Sequence, residues 1–309
     1  MNYRNTHSPL DNFLTFIASR SLLSRLMLIN LVVFAVVNLI NLFLFLFEIR
    51  SNSSVSNIST ITYWLSVPSD ISQLLVRPWT LLTYMFLQEG FFHLLFNMII
   101  LYFGGRIFSE YLDEKKLLKT YIFSGLTGAV FFIAAFNVFP VFSQSLPYAL
   151  ALGSSASVLG ILVAIATYIP NYTVVLFLLG RMKLKYIAII FIIIDVFSIP
   201  QGNAGGHIAH IGGAFWGFLY ANNLRKGKEM ATFFDRIKWP RLWFSGKRKK
   251  KHHFENVYVN KKPMTDEEYN AKKLKHQKRM DEILDKISRS GYQSLTKEEK
   301  EILFRNSKR

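Results

Sequence analysis

The chain has 309 residues, of which 51% are hydrophobic and 15% aromatic, yet its formal net charge at pH 7 is +17. Apolar and basic residues must therefore be separated along the sequence, and several apolar stretches approach the roughly 20 residues that cross a bilayer as a helix. Because the chain contains no cysteine, disulfides and thiolate metal sites are excluded.

Six apolar stretches predict six membrane-spanning helices. They cover residues 26–47, 91–108, 117–139, 153–169, 186–199 and 207–221. The first is longer than the core of about 7 to 15 residues in a signal peptide, and no small-residue cleavage site follows it, so we expect it to be retained. Pro140 and Pro170 end the third and fourth stretches. The fifth could begin as early as residue 174, and the sixth is short for a full span.

Lysine and arginine are concentrated in alternate connections between these stretches. They cluster in residues 1–25, 106–119 and 181–185 and again from 225 onward, whereas residues 140–152 and 197–206 contain none. Since cytoplasmic loops are enriched in basic residues, both termini are expected in the cytoplasm.

This topology predicts an all-α membrane protein with three parts. Residues 1–24 form a cytoplasmic segment, 25–222 a bundle of six transmembrane helices, and 223–309 a cytoplasmic helical tail. Segment 50–90 is an outer loop whose tryptophan and proline residues suit a position partly in the membrane interface.

Polar side chains recur near the outer ends of three predicted helices. His93 begins the second helix, Ser155 the fourth, and His207 with His210 the sixth. At a rise of about 1.5 Å per residue, all of them lie a short way beneath the outer surface. Ionisable groups at such depth are rare and are commonly functional.

Stripes of small residues predict that the fourth and sixth helices pack closely. The members recur every fourth position and are Ala156, Gly160 and Ala164 on the fourth helix and Ala209, Gly213, Gly217 and Ala221 on the sixth. Ser155 and His210 lie beside these stripes, so a hydroxyl and an imidazole would meet, which activates a serine as a nucleophile. Ser157 lies about 200° around the helix from Ser155 and does not share its face. A transporter or scaffold with two tightly packed helices is the alternative.

His93 and Asn97 are four residues apart and therefore lie on one face of the second helix. Both side chains can donate hydrogen bonds to a developing oxyanion, and the backbone N–H of Ser155 at a helix N-terminus could supply another. A polar clamp between helices is the equally simple alternative.

Three motifs together resemble the rhomboid intramembrane serine proteases. They are Gly153-Ser154-Ser155-Ala156, His93-Leu94-Leu95-Phe96-Asn97, and Ala209-His210-Ile211-Gly212-Gly213 followed by Gly217. The resemblance implies that Ser155 is the nucleophile and His210 the general base and then acid, in a dyad without an aspartate. It also implies that His93, Asn97 and the Ser155 amide hold the oxyanion.

The same resemblance implies substrates that are single-span membrane proteins, admitted sideways from lipid and cut near their outer end. We expect the protein itself in a bacterial inner membrane. We expect no cofactor and no metal ion. Leu159 stands where many members carry a tyrosine that stacks on the histidine, so His210 is expected to be held differently, by Phe215, by Trp216 or by a neighbouring span. A catalytically silent member that binds client transmembrane segments is the alternative function.

Asp195, near the outer end of the fifth stretch, is an intramembrane carboxylate. Together with two histidines it raises ion translocation or metal binding as a further alternative. Its separation from the histidines along the chain fixes no coordination geometry, so capping or an interfacial hydrogen bond is the expected role.

The tail holds 25 of the 37 Lys and Arg residues but 12 of the 20 Asp and Glu. Its basic run at 247–253 is expected to contact anionic lipid, and no nucleic acid is expected because no fold motif accompanies it.

Capping boxes at 265–268 and 296–299 predict two helices. The expected apolar face of the first is Met280, Ile283, Leu284 and Ile287, with Gly291 as its C-cap. A partner-docking hairpin, a regulator of the protease and a dimer contact are left open, as is the oligomeric state.

Overall fold

The structure is a computed structural model that describes residues 16, 19, 21–47, 59–88, 90–176, 180–236, 266–296, 298–300 and 303. Most of the predicted cytoplasmic segment 1–24, residues 50–58 of the outer loop and the basic run 247–253 lie outside the described residues. The chain divides into two compact units, Met1–Lys247 and Arg248–Arg309.

The first unit is mostly helical, and each predicted apolar stretch corresponds to one helix. These helices are α1 (Leu22–Leu46), α5 (Phe91–Tyr111), α6 (Glu114–Val138), α7 (Ser155–Tyr168), α8 (Leu184–Ser198) and α9 (Ala204–Arg225). The described residues also form two two-stranded sheets, so the prediction of an all-α chain is correct for the bundle but not for its connections.

Among the described residues, four helices are long and apolar enough to cross a membrane. They are α1, α5, α6 and the segment Leu184–Gln201, which contains α8, whereas α7 is a shorter apolar helix of 14 residues. Helix α9 has 22 residues but carries two histidines and two asparagines, which make it less apolar. The chain is therefore a multi-pass membrane protein, and a count of six crossings stays a prediction.

The connection between α1 and α5 is built from short elements, namely α2 (Thr60–Leu65), β1 (Val67–Pro68), α3 (Ile71–Val76) and α4 (Thr80–Thr83). Strand β1 pairs antiparallel with β2 (Leu150–Ala151), which lies four residues before Ser155. Arg77 is buried under this connection, where its guanidinium lies 3.9 Å from the centre of the Tyr63 ring and donates to Gln73. The connection between α1 and α5 is thus fixed against the segment that leads into α7.

A hairpin precedes α8. Strand β3 (Thr173–Leu176) pairs antiparallel with β4 (Gly180–Lys183), so the fifth helix begins at Leu184 and the suggestion that it starts near residue 174 is wrong. Residues 173–175 are β-branched, and such residues favour strands.

Helix α7 lies at the centre of the bundle, and α9 packs on it backbone to backbone. A Cβ added to Gly213 would collide with the carbonyl oxygen of Ala156, and one added to Gly217 with that of Gly160. On the next side, a Cβ on Gly160 would collide with Ser124 of α6. The close packing predicted from the small-residue stripes is confirmed, and it places the first turns of α7 and α9 side by side.

The second unit contains α10 (Asp266–Ser290), which ends at Gly291 with a φ of 75°, as predicted for the C-cap. The capping box at Thr296 and Glu299 is formed, because each backbone N–H donates to the side chain of the other residue. Of the predicted apolar face, Ile283 is buried and Leu284 is 51% exposed. Ile283 and Leu284 are consecutive and therefore point about 100° apart around the helix.

Candidate active site

Ser155 is the first residue of α7, and Gly153 leads the chain into it with a φ of 131°, a conformation that favours glycine. A Cβ at position 153 would lie 2.9 Å from Cε1 of His93. It would also lie 3.3 Å from both His93 Nε2 and Ser155 Oγ, so these two groups flank the same position. The glycine of the Gly-x-Ser motif therefore permits both the turn into the helix and the close approach of His93.

Ser155 and His210 are in direct contact. Ser155 Oγ lies 2.6 Å from His210 Nε2, and both residues are half-buried. The contact follows from the packing of α7 on α9, since Ser155 directly precedes Ala156, against which Gly213 packs, and His210 lies three residues before Gly213. This is the juxtaposition that the sequence predicts.

A third group, Asp195, completes this arrangement. Its Oδ1 atom lies 2.7 Å from Nδ1 of His210 and 2.8 Å from Nδ1 of His207, and the residue is only 5% exposed. The short turn Ile199–Gln201 joins α8 to α9 and turns the chain back on itself, which brings residues far apart in sequence together. Of the alternatives for holding His210, the structure shows the neighbouring span, because Asp195 lies on α8. Phe215 packs instead on Phe131 and Trp216 on Phe123.

The hydrogen bonds fix one tautomer for His210. An ionised carboxylate only accepts, so both histidines donate their Nδ1–H to Asp195. Nε2 of the neutral His210 ring is then left as an acceptor for the hydroxyl proton of Ser155. The ring is oriented and protonated as a general base for a serine requires.

His93 and Asn97 are placed differently with respect to the site. His93 lines the same cavity as Ser155. Asn97 is buried and does not line that cavity, and its Nδ2 donates to Gln88 Oε1 at 2.9 Å. Gln88 in turn donates to Ser154 Oγ at 2.8 Å and to Asn30 Oδ1 at 3.0 Å. Gln88 is not predicted from the sequence, because one polar residue just before an apolar stretch is a weak indication of a role.

A cavity of about 700 Å³ opens at these groups. Its walls include His93, Ser155 and His210 together with residues of α1, of the outer loop and of the segments before α7 and α9; these further residues are Val37, Asn38, Asn41, Ser59, Thr62, Leu87, Gln88, Leu150, Ala151, Leu152, Asn203 and Gly206. Polar side chains and the serine–histidine contact thus lie on the walls of one cavity within the helical bundle.

Fold and site together define a polytopic helical membrane protein with a serine–histidine–aspartate cluster inside its bundle. Residues 76–227 match the family model described as the rhomboid domain, a range that includes every residue of this cluster. The chain belongs to the rhomboid family. Residues 264–309 match a second model, described as a family of unknown function (DUF6576), and no curated protein matches the chain.

Proposed function

We propose that this protein is an intramembrane serine endopeptidase that hydrolyses peptide bonds of transmembrane substrates. The observation that carries the proposal is the 2.6 Å contact between Ser155 Oγ and His210 Nε2. The contact lies at the wall of a cavity in a rhomboid domain. Neither feature alone distinguishes a protease from a silent relative, but a silent relative has no need of an oriented base beside a serine.

The chemistry follows from the tautomer of His210. As Ser155 Oγ attacks the carbonyl carbon of the scissile bond, His210 Nε2 takes its proton, and the resulting imidazolium gives that proton to the leaving amine. Water, deprotonated by the same nitrogen, then hydrolyses the acyl ester and restores the serine. Asp195 accepts from Nδ1–H throughout and stabilises the imidazolium that forms in each step.

Two donors are best placed for the oxyanion. The first N–H groups of a helix have no partner within the helix, and Ser155 contributes such a group at the start of α7. His93 stands across Gly153 from Ser155 Oγ. Asn97 is the less direct donor of the predicted pair, because one of its two N–H groups is used by Gln88.

The proposed topology has six crossings with both termini in the cytoplasm of a bacterial cell, the protein lying in the inner membrane. The basic residues of the connections support it. The cavity then opens toward the outer surface, so that single-span membrane proteins entering from lipid are cut near their outer end. The basic tail is proposed to contact anionic lipid and not nucleic acid.

Alanine at His93 is expected to lower kcat about 100-fold while KM changes little, because an oxyanion donor acts mainly in the transition state. Cleavage kinetics of a model transmembrane substrate in proteoliposomes measure both constants. Phe92→Ala, one residue earlier on an exposed position of α5, is the matched control and is expected to retain kcat. A change in KM alone would identify His93 as part of a polar clamp.

A serine-directed fluorophosphonate tests the proposed function directly. We expect the wild-type protein in membranes to be labelled and Ser155→Ala to be unlabelled, because the probe reacts with a serine that a base activates. Ser157→Ala is the matched control on the same helix and is expected to be labelled like the wild type. Absence of labelling in the wild-type protein would favour the alternative, a silent member that binds client transmembrane segments.

A further inference from the structure

We propose that Asp195, His207 and His210 form a Zn²⁺ site whose occupation switches the protease off. The inhibitory consequence rests on the proposed function, whereas the binding of the ion does not. Two imidazoles and one carboxylate are a ligand set that zinc accepts in proteins.

The three ligand atoms already converge. Asp195 Oδ1 and the Nδ1 atoms of the two histidines all lie within 4.8 Å of one another. The histidines are three residues apart on α9 and so project from the same side of the helix. Tetrahedral zinc would hold its ligands about 3.3 Å apart, so the two hydrogen bonds of 2.7 and 2.8 Å would lengthen by about 0.5 Å. Asp195 is distant from the histidines along the chain, which argued against a metal site, but the fold brings the three side chains together.

The site is reachable and leaves room for a further ligand. The side chains of His207 and His210 are 22% and 21% exposed, while that of Asp195 is 7% exposed. His210 and Gly206 line the cavity of about 700 Å³, through which an ion and its water could enter. Three protein ligands with an open fourth position are typical of zinc sites that exchange their remaining ligand.

Occupation of this site would invert the role of His210. Zinc binds an imidazole nitrogen that carries no proton, so each Nδ1 must give up the hydrogen that it donates to Asp195. The neutral ring of His210 then carries its one hydrogen on Nε2. That atom becomes a donor to Ser155 Oγ and can no longer accept the hydroxyl proton, so the ion would block catalysis without contacting the serine.

His207 is the residue that distinguishes zinc binding from peptide hydrolysis, because only zinc binding requires it. Its Nδ1 contacts the same carboxylate oxygen as His210, yet it has no contact with the nucleophile in the described part of the chain. A serine protease requires one histidine on this carboxylate, whereas a metal site requires a further ligand. The pairing of two histidines on one oxygen is therefore explained by the metal site and not by hydrolysis.

Binding is tested in the full-length Ser155→Ala protein, prepared without a histidine tag and with His252 and His253 replaced by asparagine. Titration calorimetry with Zn²⁺, and visible absorption with Co²⁺ as its spectroscopic substitute, are expected to report one ion per chain. His207→Ala is expected to weaken binding at least about 100-fold, since loss of an outer-shell partner alone costs 10 to 100-fold. No binding, or binding of equal strength in a folded His207→Ala protein, would overturn the site.

Inhibition is tested by cleavage with the serine in place, each variant being compared with its own activity without metal. Zinc is expected to suppress cleavage by the wild-type protein and to have at least tenfold less effect on His207→Ala. Mg²⁺ and Ca²⁺ are expected to have no effect, because they prefer sites made of oxygen ligands. If zinc binds but the wild-type protein cleaves nothing, the proposed function fails and the metal site stands. If cleavage occurs and zinc neither binds nor inhibits, the metal proposal fails alone.

Discussion

Alanine in place of Ser155 is expected to reduce cleavage of a transmembrane substrate about 10⁶-fold, to background, and His210→Ala is expected to do the same. In the proposed mechanism the two groups act as one unit, because the serine becomes nucleophilic only when His210 Nε2 removes its proton across the 2.6 Å contact. Effects of this size are typical when either member of such a unit is removed. Release of the cleaved fragment from substrate in proteoliposomes measures the loss.

The matched control for this pair is Ser157→Ala. Among the residues that the structure describes, the Ser157 hydroxyl is buried without a hydrogen-bond partner, so its removal should cost neither stability nor activity. The double variant Ser155→Ala/His210→Ala is expected to lose no more than either single variant, because members of one catalytic unit are not additive. Normal cleavage by either single variant would reject the pair.

The meeting of Ser155 and His210 could be predicted because two independent patterns agree on it. Small residues at every fourth position predicted which helices touch. The connections without lysine or arginine predicted that the helix ends carrying Ser155 and His210 lie on the same side of the membrane. Those patterns are local and depend on helical periodicity. The resulting contact between α7 and α9 is the part of the fold that carries the site, and it is confirmed at Gly213 and Gly217.

The role of Asp195 could not be predicted in the same way. Whether it reaches the histidines depends on the length and path of the turn Ile199–Gln201 and on how α8 is rotated about its axis. A nearly uniform apolar stretch gives no periodicity from which that rotation could be derived. The network of Gln88 with Ser154 and Asn97 was missed for a related reason, since it joins segments that share no repeating pattern.

Asparagine at Asp195 is expected to lower kcat about 10³ to 10⁴-fold with little change in KM. The carboxylate only accepts hydrogen bonds and so fixes the hydrogen of His210 on Nδ1. An asparagine amide can also donate, so the ring can take the other tautomer, in which Nε2 carries the hydrogen and cannot act as a base. Losses of this order follow when the orienting carboxylate of a serine–histidine–aspartate triad is replaced. Cleavage kinetics over a range of substrate concentrations separate the two constants.

A comparison with Asp113→Ala distinguishes chemistry from folding. Asp113 caps the N-terminus of α6. Partial burial acts to raise the pKa of its carboxyl, but the hydrogen bonds and charge of Lys116 outweigh this and hold the pKa below its ordinary value, so the cap is charged at neutral pH. Loss of such a cap costs about 1 kcal/mol of stability, so Asp113→Ala should lower Tm and leave kcat in place. Asp195→Asn should do the reverse. A loss of kcat below tenfold at Asp195 would mean that His210 acts as a base without a carboxylate, as a dyad does, and would leave metal binding as the chemistry that requires Asp195.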